Sequence, residues 1–331
     1  MRISALVCIC ALAVPFTAAA QTPVAPAWLS PTPVEGESLA VAAWSTLSFS
    51  VAASSPDLSA ALHIAGSSLP PGATLDAVDG NPATASFTWR PGADDVGVHA
   101  LMFTAGPGVE RRITIRVAPE RPVALSTVDA LSRAAFVKRA VAARARPDAH
   151  APVVARVGTM TEEYARNLVL ALASAHDADG NVWVKARLSI LPNNSTGWIP
   201  RAALGPFHAV RTRLVIDRAF FTATLFRDGA PVFRTRVGVG TPGWPTPRGE
   251  FYVRELLTNF GDPFYGPAAF GTSAKSPVPT GYFAGAFIGI HGTNAPELIP
   301  GRISHGCIRL RNPAILQLVK LMPLGTPVTV R

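Results

Sequence analysis

The chain has 331 residues, 48% of them hydrophobic and 15% charged, which supports packed cores and excludes a disordered polyelectrolyte. At roughly 150 residues per domain, that length predicts two or three domains. The net charge of +9 is carried mainly by arginine and scattered along the chain, which argues against a nucleic-acid-binding stripe and fits either a solubilising surface or work on an anionic one.

Met1-Arg2, an apolar run from Ile3 to Phe16 and the small residues up to Ala20 read as an export signal (1–20) cleaved after Ala20. The run is shorter than the roughly 20 residues a spanning helix needs, so no stable membrane insertion is expected. The mature chain is expected in the periplasm or cell wall. Residues 21–33 are rich in Pro and Ala and read as a linker.

From 34 to 118 the pattern is all β. In Ser45–Val51, Leu47, Phe49 and Val51 share one face, and Ala85–Trp89 and Ile113–Val117 alternate in the same way. Pro70-Pro71-Gly72, Asp79-Gly80 and Pro91-Gly92 supply turns, and short strands at this spacing predict a small β-sandwich. The stretches Leu69–Asp76, Phe87–Pro91, Val96-Gly97 and Phe103–Ala105 resemble immunoglobulin-like or cadherin-like modules of bacterial surface proteins.

Residues 119–135 read as a linker with a short helix over Ser126–Ala135, N-capped by Ser126 or Thr127. Residues 136–205 are expected to form a small barrel, with strands at Pro152–Val157, Asn167–Leu172, Val182–Leu188 and Gly197–Pro200. The segment Phe136–Arg144 fits helix or strand equally. Trp183 and Gly197-Trp198-Ile199 resemble bacterial SH3-like modules, and both tryptophans are expected in the core rather than on a ligand platform.

Residues 211–331 open with a hairpin, Arg213–Asp217 and Thr222–Phe226, and Arg227-Asp228-Gly229 turns into a return strand over Val232–Val239. Pro245–Gly249 is a stiff loop before Phe251–Val253. Phe287–Ile290 is a short apolar strand that delivers His291 at its end. Asn312–Leu321 is a helix with Pro313 in its first turn and Ile315, Leu316 and Val319 on one stripe, and Pro327–Val330 closes as a strand. The fold class is therefore mainly β.

Cys8 and Cys10 fall inside the export signal, which leaves Cys307 as the one cysteine of the mature chain, in Ser304-His305-Gly306-Cys307-Ile308-Arg309. An exported lone thiol is a buried small hydrophobe, a metal ligand, an intermolecular partner or a nucleophile. Ser-His-Gly-Cys is too polar and glycine-rich for an ordinary core segment. His291, His305 and Cys307 with a water would make a zinc site, although the spacing matches no usual zinc motif. A histidine neighbour that assists the thiol favours a Cys–His acyl-transfer centre. His305, two residues from Cys307, would point the same way on an extended strand. The Pro- and Gly-bearing loop after His291 can fold back to bring that histidine to the cysteine.

At these residues the sequence resembles a family. Ile290-His291-Gly292-Thr293 and Ser304–Leu310, with Gly238–Pro242 and the Pro-Thr-Pro-Arg-Gly loop, resemble the bacterial L,D-transpeptidases with the YkuD catalytic domain. The resemblance spans 211–331 and implies a mixed-β catalytic domain. It puts the nucleophile on Cys307 and the proton donor/acceptor on His291, with Ser304, His305 and Gly306 in support. Gly292 and Tyr282 are candidate substrate contacts. Arg309 stands where some members have asparagine, and both a substrate carboxylate and a structural pairing are open for it. Peptidoglycan stem peptides are the implied substrate, with no cofactor, no metal and no nucleic-acid partner. The implied reaction is a 3→3 cross-link made through a Cys thioester with loss of D-Ala. Backbone N–H groups around Gly306 and Cys307 are expected to hold the oxyanion. Hydrolysis of the thioester, attachment of a protein amine and a non-catalytic wall-binding role are the alternatives.

Overall fold

The computed structural model describes residues 25–127, 131–258, 262–278 and 285–331. The export signal expected at 1–20, with Cys8 and Cys10, and the candidate Tyr282 lie outside them. The described chain is mainly β, with one α-helix. It divides into two compact units, one centred on Thr46–Arg90 and Gly97–Arg116, the other on Val117–Arg331.

The first unit has two four-stranded sheets. One runs Ala27–Leu29, Leu47–Ser54, Ala83–Trp89, Thr74–Val78, and the other Glu37–Ala42, Glu110–Ala118, Gly97–Ala105, Ile64–Ser67. Alternation puts Phe49 and Phe87 on the inner face of the first sheet and Phe103 on that of the second. The Phe87 and Phe103 rings meet edge to face at 6.3 Å between centroids, and Phe49 stacks on Phe87 at 4.8 Å. The first strand lies within the stretch expected as a linker. Ala27–Leu29 pairs with Ala52–Ser54, so the Pro- and Ala-rich composition hid a strand.

The second unit holds two sheets. An eight-stranded sheet takes its strands from Val123 to Val210, wider than the 136–205 expected for a barrel. The helix expected over Ser126–Ala135 is replaced by a strand at Ser132–Phe136, which pairs with Leu168–His176. Burial on both faces, Ala134 in one apolar cluster and Ala135 in another, outweighs local helix preference. The ambiguous Phe136–Arg144 resolves as a strand end and a second strand, Val141–Arg144. Trp183 and Trp198 are buried, as expected, and Trp183 Nε1 donates to Asp177 at 2.8 Å.

The other sheet has ten strands: β1 (Thr212–Asp217), β2 (Thr222–Arg227), β3 (Ala230–Arg236), β4 (Gly238–Gly240), β5 (Gly249–Thr258), β6 (Ala268–Lys275), β7 (Phe287–His291), β8 (Gly301–Ser304), β9 (Ile308–Arg309) and β10 (Pro327–Val330). Their order is β3-β2-β1-β10-β5-β6-β7-β9-β4-β8, with parallel pairs at β1/β10, β7/β9 and β4/β8. The β2–β3 turn has φ of 49° at Asp228 and 79° at Gly229, the positive pair that a two-residue hairpin needs.

Helix α1 (Asn312–Leu321) covers the core face of this sheet, where Ile288, Ile290, Phe270, Phe251, Leu214 and Leu225 are buried. Its buried stripe is Ile315 and Leu318 with Val319 beside them, whereas Leu316 is 46% exposed. The expected stripe erred by one position, because Leu316 is turned about 100° from Ile315 around the helix axis.

The two sheets share buried contacts. Tyr252 of β5 sits in an apolar cluster with Ala134, Leu168 and Leu170, and its hydroxyl donates to the Leu168 carbonyl at 3.0 Å. Thr161 Oγ1 donates to Glu255 Oε2 at 2.9 Å, and Arg254, 3% exposed in its side chain, pairs with Glu163 at 3.0 Å.

Candidate active site

Strand periodicity sorts the β6–β7–β9 region into two faces. Phe270, Ile288 and Ile290 point into the core, so Ala269, Gly271, Gly289 and His291 take the opposite face. Register then aligns them in rows: Ala269, His291 and Arg309 lie side by side, and Gly271 stands opposite Gly289 in the next row. Cys307 precedes β9, whose Ile308 pairs with Ile290, and so falls beside Gly289. The Gly289 N–H donates to Cys307 Sγ at 3.3 Å.

Gly289 keeps the space in front of the sulfur open. A Cβ there would lie 3.8 Å from both Cys307 Sγ and His291 Cδ2, so thiol and imidazole flank one unoccupied position. His291, 1% exposed, donates from Nδ1 to the Gly292 carbonyl at 2.7 Å in the tautomer that this bond requires. Nε2 is then the acceptor nitrogen. The Leu310 N–H donates to the His291 carbonyl at 2.8 Å and ties the two loop ends together, as the sequence predicted.

Burial sets the resting protonation. It holds His291 down at about 4, helped by the Arg309 charge and opposed by the bond to Gly292. Burial also pushes the Cys307 thiol up, against the opposing pull of the Gly289 N–H and of Arg309. Both shifts favour a neutral thiol beside a neutral imidazole.

The turn that presents Cys307 is held by buried hydroxyls. Gly306 has φ of 119°, a conformation open to glycine, and a Cβ there would lie 2.7 Å from Ile288 Cδ1. Ser304 Oγ donates to the Cys307 carbonyl at 2.6 Å and accepts from the Gly306 N–H at 3.1 Å. Thr246 Oγ1 donates to the Gly306 carbonyl at 2.7 Å and accepts from the Gly240 N–H at 2.9 Å. The Gly306 N–H is thus engaged by Ser304.

His305 is exposed and packs edge-on against Trp244, with ring centroids 4.7 Å apart. The positive φ of Gly306 interrupts the extended run that would have aligned His305 with Cys307. Among the described residues no three His, Cys, Asp or Glu side chains gather as a metal-ligand set. Gly292 is buried against Gly266 and Asn312; a Cβ there would lie 2.5 Å from Asn312 Oδ1, which accepts from the Thr293 N–H at 2.9 Å. The missing side chain at Gly292 is what allows this close approach.

Sequence reasoning missed Thr246, Asn312, Phe264 and Tyr265. Thr246 lies in the Pro-Thr-Pro-Arg-Gly loop, where a lone buried hydroxyl between prolines was the available signal. Tyr265 packs edge-on to His291 at 5.0 Å, and the Arg309 guanidinium lies 4.3 Å over the Phe264 ring. Arg309 is 7% exposed, and its Nε has no hydrogen-bond partner among the described residues.

The chain has relatives among known proteins. It is 36% identical over 109 residues to a putative L,D-transpeptidase YkuD of Bacillus subtilis, covering 33% of this chain and 59% of that one. It is 30% identical over 156 residues to a probable L,D-transpeptidase ErfK/SrfK of Salmonella typhimurium, covering 42% and 50%. Among solved structures, the catalytic domain of an E. faecium L,D-transpeptidase is 25% identical, covers 36% of this chain and 96% of that one, and has a TM-score of 0.27. The chain thus spans about half to three fifths of the length of these two sequence relatives. Residues 211–330, which carry Cys307, His291 and the turn between them, match the family model of YkuD, the L,D-transpeptidase catalytic domain.

Proposed function

We propose that this protein is an exported L,D-transpeptidase that joins peptidoglycan stem peptides through a Cys307 thioester. The observation that carries the reading is the single open position above Gly289, flanked by the Cys307 sulfur and the His291 imidazole. The family match over 211–330 supports it.

The donor is a stem tetrapeptide whose third-residue carbonyl sits above Gly289. Cys307 Sγ attacks that carbon while its proton passes to His291 Nε2, the nitrogen left as acceptor by the Nδ1 bond to Gly292. The tetrahedral oxyanion collapses, the bond to the D-Ala nitrogen breaks, and that nitrogen takes the proton from His291. A side-chain amine of a second stem then attacks the thioester. Its proton leaves through His291 and the sulfur departs as thiol, giving a 3→3 cross-link. Arg309 lies in the same row as His291, and its charge favours the thiolate as it forms.

Incubation with a carbapenem followed by intact-mass measurement tests the nucleophile. A single adduct on the wild type and none on Cys307→Ala is expected; an equal adduct on both removes Cys307. Product analysis on defined tetrapeptide muropeptides should give cross-linked dimer. Trimmed tripeptide alone would make water the acceptor.

A further inference from the structure

The sheet face that bears the open position above Gly289 continues past it towards β5. Gly271 stands opposite Gly289, and Glu255 stands opposite Gly271. Glu255, Gly271, Gly289 and Cys307 therefore form one row across β5, β6, β7 and the entry to β9. Gly271, Gly289 and Cys307 are each half-exposed, whereas Phe270, Ile288 and Ile308, which point the other way, are buried. Two successive glycines give this row a floor that contributes no side chain of its own. A bulge between Val253 and Glu255 sets Glu255 against it. The Glu255 side chain lies over Gly271: a Cβ there would be 2.7 Å from Glu255 Cγ and 2.9 Å from Cδ, and would collide with Oε1.

The two carboxylate oxygens of Glu255 have different neighbours. Oε2 accepts from Thr161 Oγ1 at 2.9 Å. Oε1 is 3.5 Å from Arg254, longer than a charge-assisted hydrogen bond. Arg254 makes its short contact with Glu163, at 3.0 Å, and lies over the Phe287 ring at 3.9 Å. Lys275, on the same ring, pairs with Glu162 at 3.6 Å. Glu162, Glu163 and Glu255 thus face Arg254 and Lys275, which leaves one negative charge over. Burial pushes the Glu255 carboxyl up, opposed by Arg254 and Thr161 and reinforced by Glu163. Adjacent strands lie about 4.8 Å apart, so Oε1 stands roughly 5 Å from a carbonyl placed above Gly289. One nitrogen fits between them, about 3 Å from each.

We infer that Glu255 receives the amine that resolves the Cys307 thioester, holding it through Oε1 beside the acyl carbon. The inference rests on the thioester proposed above. The acceptor arrives as an ammonium and gives one proton to Glu255. The lone pair so freed attacks the acyl carbon, and a second proton passes through His291 to the departing sulfur. An amide and a thiol result, and the proton on Glu255 leaves to solvent. Water carries no charge for a carboxylate to hold, so Glu255 selects an amine over water as the acceptor.

The test gives full-length protein an isotopically labelled tetrapeptide muropeptide as donor and an unlabelled tripeptide muropeptide with a free side-chain amine as acceptor. Release of D-Ala reports the first step. The ratio of labelled dimer to labelled tripeptide reports how the thioester is shared between amine and water. Glu255→Gln keeps the shape of the side chain and removes its charge. Gly271→Ala keeps the charge and displaces the carboxylate from the floor. Compared at equal D-Ala release, each variant should lower the ratio about tenfold or more. Thermal melting checks that both fold, and if Glu255→Gln does not, Gly271→Ala decides by the same ratio. A lowered melting point with the wild-type ratio would make Glu255 structural and overturn the inference. Slower D-Ala release with the ratio kept would put Glu255 on the donor and overturn it too, as would a wild type that releases D-Ala and never forms dimer. A wild type with neither D-Ala release nor a carbapenem adduct would instead remove the thioester itself, so the two failures are separable.

Discussion

The Gly289 backbone N–H points at the Cys307 sulfur from 3.3 Å, across adjacent strands of one sheet. This ties the Cys307 sulfur to the main chain of the strand that ends in His291, so thiol and imidazole are positioned by the same element.

Gly289→Ala should separate folding from function. The added methyl meets the sulfur and His291 at ordinary contact distance, so thermal stability should change little. It fills the position assigned to the reacting carbonyl, and acylation by a carbapenem should fall by about two orders of magnitude, in line with the cost of misplacing a reacting group. Wild-type acylation rates in this variant would place the acyl group elsewhere.

His291 gives a pH dependence with a defined sign. Its folded pKa of about 4 lies below the ordinary 6.5, so the unfolded chain takes up a proton first as pH falls. The stability from this group is full above pH 6.5 and is lost as pH drops towards 4, by roughly 3 kcal/mol. Urea midpoints at pH 7.5 and 4.5 should therefore draw closer together in His291→Gln than in the wild type. The Cys307 thiol, pushed up by burial, should alkylate with iodoacetamide increasingly fast as pH rises beyond its ordinary value near 9.

Ser304→Ala and Thr246→Val each remove a hydroxyl that both donates and accepts within the turn. Each leaves a buried backbone group without its partner, at a cost of about 1–3 kcal/mol. The acylation rate should fall in both while the wild-type pH profile is kept. A shifted profile would mean that the hydroxyl acts on the proton transfer itself.

Much of this site is legible in the chain because its signal is local. The apolar strand ending at His291, the glycine before Cys307 and the serine two positions earlier occupy two short segments, and the structure sets all of them around one turn. Tyr265 was illegible because it reaches the site from a segment distant in sequence whose own neighbourhood does not encode the destination, and Thr246 carried only the faint signal of a hydroxyl between prolines. The same distinction explains Ser132–Phe136: its strand pairing is with Leu168–His176, and local residue preference pointed to a helix. Gly306 shows the reverse limit. Its φ followed from its identity, but the engagement of its N–H by Ser304 required the side-chain rotamer.

Tyr252→Phe tests the contact between the two sheets of the second unit. The hydroxyl donates to the Leu168 carbonyl inside a closed apolar cluster, and its loss should cost about 1–2 kcal/mol. Differential scanning calorimetry of the full chain should show the corresponding transition move down as one peak. A split into two peaks would show that this contact couples two otherwise independent folding units.

The cluster around Tyr252 bears on how the chain can be cut. A fragment starting at Arg211 would leave Tyr252 and Leu324 facing water and would strip Glu255 and Arg254 of Thr161 and Glu163. Such a fragment would carry a sticky apolar face, an invitation to aggregate, and would leave Arg254 with Glu255 as its remaining carboxylate partner among the described residues. The middle sheet is thus a permanent bulkhead for the ten-stranded sheet, and a fragment that keeps these contacts has to begin before Val123.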